Sequence, residues 1–126
     1  MTDYANRNGE KILVAEDDAN SFLYLEAILE SAGYQFTHCS NGREAVVEIK
    51  RDPHYSLILM DIKMPEMDGL SATKEIRKFN TQIPIIAQTA YALSGDYEMA
   101  IKAGCNDYIT KPIKRNILLD IIKKYL

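Results

Sequence analysis

No stretch of this sequence approaches the ~20 consecutive apolar residues that a membrane-spanning helix needs. The polar start from Met1 to Glu10 also lacks the apolar core of a signal peptide. A cytoplasmic protein with no membrane span is therefore expected. Basic charge is missing too: the formal net charge is −3, so the chain carries no electrostatic footprint for direct nucleic-acid binding. The cations near the end (Lys111, Lys114, Arg115, Lys123, Lys124) read as a solvated helix face. Cysteine is scarce. Cys39 and Cys105 stand apart without metal-ligand spacing, which predicts buried free thiols. No Walker-type glycine loop occurs, so nothing here is built to cradle a nucleoside triphosphate.

The sequence has 126 residues, 47% of them hydrophobic and 26% charged, enough for one domain with a real core. No repeat or linker interrupts it. The expected organisation is a flexible N-terminal segment over 1–10 and one domain over 11–126. Short apolar runs alternate with amphipathic stretches. Lys11–Ala15, Tyr34–His38, Leu57–Asp61, Pro84–Gln88 and Asp107–Thr110 read as strands. Those at Lys11–Ala15 and Leu57–Asp61 are almost continuously apolar, as strands buried on both faces are.

Between the strands, helical spacing joins Phe22, Leu25, Ile28, Leu29 and Ala32, with Gly33 as a stop that can take positive φ. Ala45, Val46 and Ile49 mark a helix ending before Pro53, and Leu70, Ile76 and Phe79 mark the next. A helix from about Ser94 to Ala103 ends at Gly104, with Met99 and Ile101 as its main core residues. Leu118, Ile121, Ile122 and Tyr125 form the stripe of the last helix. Five strands alternating with five helices predict an α/β fold, a doubly wound parallel sheet covered on both faces.

Ligands of such sheets sit beyond the carboxyl ends of the strands. The first strand delivers Glu16, Asp17 and Asp18 there, the third Asp61, the fourth Thr89, and the fifth runs into Lys111. Each residue has an ordinary structural use. Asp18 suits a helix N-cap, Asp61 and Thr89 could serve loop hydrogen bonds, and Lys111 could point into water. Together they place several carboxylates at one edge, where like charges repel unless a cation joins them. An all-oxygen donor set suits Mg2+, with Mn2+ as a substitute, rather than zinc. A carboxylate beside a cation, a hydroxyl and an ammonium has the parts for accepting a phosphoryl group.

The segments Ile12–Asp18 (ILVAEDD), Leu59–Leu70 (LMDIKMPEMDGL), Thr89–Ala92 (TAYA) and Tyr108–Ile113 (YITKPI) resemble the receiver domains of two-component response regulators, over Lys11 to Leu126. The resemblance implies a (βα)5 fold with flavodoxin-like strand order 2-1-3-4-5. It implies that Asp61 is the phosphoacceptor and that the metal is held by Glu16, Asp17, Asp61 and the backbone carbonyl of Lys63. Asp17 would bind the metal directly and Glu16 mostly through water. Asp18 falls one place beyond the acidic pair and is left out. Thr89 and Lys111 would contact the phosphoryl group, and the Lys111–Pro112 bond would be cis. Thr89 and Tyr108 would form the switch, with a static half-buried tyrosine as the lesser alternative for Tyr108.

The implied partners are a histidine kinase or histidine phosphotransfer protein upstream. A downstream partner or output domain would use the face made by the fourth helix, fifth strand and fifth helix. Such a domain is a switch, not an independent enzyme. Glu-Asp in place of Asp-Asp, and Lys63 and Tyr91 at positions that set phosphate lifetime, are the departures to note. A haloacid-dehalogenase-like phosphatase would need a second acid where Lys63 stands. A flavodoxin-like carrier would need a phosphate loop after the first strand. A stand-alone regulator and a receiver module of a hybrid histidine kinase both remain open, and TAYA with GCNDYITKPI leans toward the second.

Overall fold

The computed structural model describes residues 9–90 and 95–126. Residues 1–8 of the expected flexible segment, and Tyr91 to Ser94 with the expected start of the fourth helix, lie outside the described residues. Five strands, β1 (Lys11–Ala15), β2 (Gln35–Cys39), β3 (Leu57–Asp61), β4 (Ile85–Thr89) and β5 (Asp107–Thr110), form one parallel sheet in the order β2-β1-β3-β4-β5. Helices α1 (Ala19–Ser31), α2 (Gly42–Arg51), α3 (Gly69–Arg77), α4 (Asp96–Ala103) and α5 (Arg115–Tyr125) connect and follow them. The expected fold class and strand order are both found.

Alternation along each strand sends side chains to opposite faces, and each face has its own core. Leu13, Ile58, Met60, Ile85 and Ala87 pack under α2, α3 and α4 through Ala45, Ile49, Ala72, Ile76 and Ala100. Ile12, Val14, Leu57, Leu59 and Ile86 pack under α1 and α5 through Leu25, Ile28, Leu29, Leu118 and Ile122. Central β3 and β4 are buried along their whole length, which explains the apolar runs Leu57–Met60 and Ile85–Ala87 ahead of their polar ends. No helix among the described residues is long and apolar enough to cross a membrane.

Local chemistry sets the helix ends. Asp18, Asn41 and Asp68 cap α1, α2 and α3, their side chains accepting from the amides of Ser21, Glu44 and Ser71 at 2.8 Å each. Gly33 takes φ 84°, as expected for the stop after α1. Gly104, at φ 118°, ends α4, where its carbonyl accepts from the Arg77 guanidinium at 2.9 Å. Both cysteines are buried and free. Burial, with Glu44 and Glu48 nearby, pushes the Cys39 thiol up to about 12.

Several boundaries differ from expectation, each for a visible reason. Strand β2 starts at Gln35 instead of Tyr34, because the Tyr34 amide donates back to Leu29 to close α1. Strand β4 runs Ile85–Thr89 instead of Pro84–Gln88: Pro84 has no N–H to pair, whereas Thr89 sits opposite Thr110 in the ladder. Phe79 lies beyond the end of α3 and is exposed. Met99 and Ile101 are not core residues of α4. They are 56% and 37% exposed, and the helix packs through Ala100 and Ala103. Lys111 is not part of a solvated helix face either, since it precedes α5 and is half-buried beside acidic residues.

Candidate functional site

Parallel strands deliver their last residues to one edge. Glu16 follows β1, Asp61 ends β3, Thr89 ends β4, and Lys111 follows β5. The ladder keeps these ends level. Asp61 sits opposite Gln88, and Thr89 opposite Thr110. The Lys111 amide then donates to the Thr89 carbonyl at 2.7 Å, drawing the segment after β5 toward β4.

The result is a compact triangle. Lys111 Nζ donates to Glu16 Oε1 at 3.1 Å and to Asp61 Oδ2 at 3.2 Å. Carboxylate oxygens of Glu16, Asp17 and Asp61 lie within 4.8 Å of one another. Glu16 is fully buried and Asp61 only 5% exposed, whereas Asp17 faces solvent. Thr89 is buried. The Lys63 amide donates to Asp61 Oδ1 at 3.3 Å. One buried wall and one open side is the form of site that a hard cation can share with solvent and an incoming anion.

Charge in the triangle is unbalanced. Burial, then the hydrogen bond to Asp61 and its charge, push the Glu16 carboxyl up to about 7. Lys111 is held above its ordinary range by Asp61 and Glu16, against the opposing effect of its own burial. One ammonium is shared by two carboxylates, and the third acid, Asp17, has no ion pair among the described residues. A divalent cation fits this donor set by charge, by ligand hardness and by the mutual distance of the oxygens.

Asp18 stays outside the cluster. Its Oδ2 is committed to the Ser21 amide, which lowers its pKa, while its own amide donates to Glu16 Oε2 at 3.2 Å. Asp18→Ala should therefore lower the melting temperature by a few degrees through the lost cap. Mg2+ affinity should stay unchanged, which thermal melts across a Mg2+ titration would check.

Tyr108 is half-buried on β5, its ring 5.2 Å from that of Tyr97 on α4. Three positions not assigned to the site on sequence grounds also shape it. His38 Nε2 donates to the Glu16 carbonyl at 2.7 Å while its ring stacks on Phe22 at 3.7 Å. Gly69 packs directly on the Asp61 backbone. Gln88 is a carboxamide with no exposed surface in the strand next to Asp61. Its signal in the sequence is a polar residue directly after the apolar run PIIA and before Thr89.

The family model described as the response regulator receiver domain matches residues 12–123. The polar-differentiation response regulator DivK of Brucella ovis is 36% identical over 119 residues, covering 93% of this chain and 96% of that one. The receiver domain of a sensor histidine kinase from Pseudomonas aeruginosa, solved with magnesium coordinated in its active-site cleft, is 44% identical. It superimposes with a TM-score of 0.87 over 93% of this chain and 97% of that chain. A third match comes from the Saccharomyces cerevisiae co-crystal of the histidine phosphotransfer protein Ypd1 with the receiver domain of Ssk1. It has 30% identity and a TM-score of 0.86, covering 92% of this chain and 88% of that chain.

Proposed function

The chain belongs to the response regulator receiver domains, and from that premise we propose that it carries a signal by accepting a phosphoryl group on Asp61 from a histidine kinase or histidine phosphotransfer protein. Members of this family act as switches that catalyse only their own phosphotransfer and dephosphorylation. The observation that carries the reading is the Lys111 bridge between Glu16 and Asp61, with Asp17 close enough to share a cation.

In the proposed transfer an Asp61 carboxylate oxygen attacks phosphorus. The P–N bond of a phosphohistidine breaks as the P–O bond forms, and the imidazole leaves with a proton. Glu16, Asp17, Asp61 and the Lys63 carbonyl would hold Mg2+ or Mn2+, which supplies charge neutralisation at the phosphoryl oxygens. Lys111 would turn from the carboxylates toward those oxygens. The Thr89 hydroxyl would donate to one of them. The product adds roughly two negative charges, and the two states differ in what Thr89 and Lys111 contact. Tyr108 would then change its packing against α4 and reset the face of α4, β5 and α5 for a downstream partner or output domain. The 44% identity to a sensor-kinase receiver favours a module of a hybrid kinase over a stand-alone regulator.

Acetyl phosphate tests the reading without a cognate kinase. With Mg2+, intact mass spectrometry should show one added phosphoryl group. Excess chelator should slow labelling sharply, and equal labelling with and without chelator would refute the metal site.

A further inference from the structure

The Lys111 ammonium belongs to a segment with few backbone anchors. The Lys111 amide donates to the Thr89 carbonyl at 2.7 Å. Pro112 then brings no N–H, and Lys114 precedes α5 without a side-chain capping bond. The segment faces α1 across a cleft of about 640 Å³, whose lining includes Asn20, Ser21, Lys111 and Pro112. Side chains therefore do not fill the space between the two.

One hydrogen bond spans that gap. The Tyr24 hydroxyl donates to the Ile113 carbonyl at 2.6 Å, joining positions 89 residues apart, at a length typical of a good O–H···O bond. Tyr24 lies in α1, the helix that starts directly after Glu16, Asp17 and Asp18, and Ile113 lies two residues past Lys111. The bond thus links the segment bearing two of the acids to the segment bearing the ammonium. Tyr24 is 48% exposed. Water is within reach of its hydroxyl, so burial does not force the bond.

We propose that Tyr24 is a positioning residue for phosphoryl transfer, its hydroxyl holding the backbone after Lys111 in place while the ammonium changes partner. The role rests on Asp61 being the acceptor. Before transfer, Lys111 is steadied by its own ion pairs to Glu16 and Asp61, at 3.1 and 3.2 Å. Those pairs are given up as the ammonium turns to the phosphoryl oxygens. The Tyr24 bond is made to backbone, so it does not depend on where Nζ points and persists through the exchange. A charge aimed at developing oxyanions is worth most when it costs no reorganisation, and a misplacement of about 1 Å can cost about 10²-fold. The Ile113 side chain, buried with the core under α1 and α5, is a second anchor. Loss of the hydroxyl alone should therefore cost about tenfold.

Tyr24→Phe removes the hydroxyl and keeps the ring. Labelling by acetyl phosphate at saturating Mg2+ should slow about tenfold, while Mg2+ affinity, set by the acids, stays within about twofold of the parent. A double-mutant cycle separates positioning from support of the fold. In a Lys111→Met background there is no ammonium to place, so Tyr24→Phe should change the residual rate by less than about twofold. Should Lys111→Met label too slowly to follow, 15N NMR of the lysine ammonium groups decides. The Lys111 signal, set apart by its two ion pairs, should broaden in Tyr24→Phe. Unchanged labelling in Tyr24→Phe, an equal loss in both backgrounds, an unaltered Lys111 signal, or Mg2+ affinity falling as far as the rate would each overturn the proposal. Failure of the acceptor reading looks different. Asp61→Asn would then be labelled like the parent, whereas failure of Tyr24 alone leaves Asp61→Asn unlabelled and Tyr24→Phe at the parental rate.

Discussion

Asp61→Asn should gain stability while losing all labelling by acetyl phosphate. The two effects have one cause. Asparagine keeps the shape of the side chain but removes the nucleophilic carboxylate and its charge. Glu16 is fully buried within the triangle. Burial, followed by the hydrogen bond to and charge of Asp61, raises its carboxyl from 4.5 to about 7. An acid raised in the folded state holds its proton longer there than in the unfolded chain. Stability is therefore lost as pH rises from the unfolded value through the folded one. Removing the Asp61 charge relieves part of that loss, about 1 kcal/mol, since burial is the larger cause. In metal-free buffer at pH 8 the variant should melt roughly 3–6 °C higher than the parent. At pH 5 the gain should shrink, because Glu16 is then protonated in both proteins. A variant less stable at pH 8, or labelled as fast as the parent, would count against the charge arrangement and against the acceptor respectively.

Gly69→Ala should be the most damaging single methyl in the described structure. Gly69 opens α3, and its amide donates to the Ile62 carbonyl at 2.8 Å. Helix propensity alone would make alanine the better residue there by about 1 kcal/mol. The local geometry opposes that gain. A Cβ at Gly69 would overlap the Asp61 carbonyl oxygen and lie 3.0 Å from Ile62 Cα. These are backbone atoms at the end of a fully buried strand, so no side-chain rotation can relieve the contact. Overpacking of this kind costs about 3 kcal/mol and moves the backbone that carries Asp61. The expected result is a large drop in melting temperature together with slowed labelling. An unchanged or raised melting temperature would show that propensity wins and that the Asp61 backbone is free to give.

Legibility in the sequence followed burial only in part, since fully buried β4 was displaced by one residue at Pro84 while edge strand β5 was read at its actual bounds. Strands β1 and β3 could be read within a residue because both faces are covered and their apolar runs are unbroken. Edge strand β2 is half-exposed, with a burial pattern that carries little contrast, so its register slipped by one. Helix α4 was misread for a related reason. It packs through alanines and leaves Tyr97, Met99 and Ile101 exposed, so size was a poor guide to burial. The candidate site was legible because a parallel sheet delivers successive strand ends to one edge, whatever the loop details.

What the chain could not reveal were contacts set by distant segments. Lys111 reaches Glu16 across 95 positions and Asp61 across 50. The Gly69 contact with Asp61 and the orphaned Gln88 carboxamide likewise depend on how neighbouring strands and turns pack.

The central claim is that Asp61, rather than any other acid at this edge, takes the phosphoryl group. Borohydride reduces an aspartyl phosphate to homoserine and leaves free carboxylates unchanged, so it marks the acceptor chemically. Protein labelled with acetyl phosphate and Mg2+, reduced and then sequenced by mass spectrometry, should carry homoserine at position 61 alone. Homoserine at position 17 or 18, or no homoserine in protein that has gained a phosphoryl group, would contradict the account.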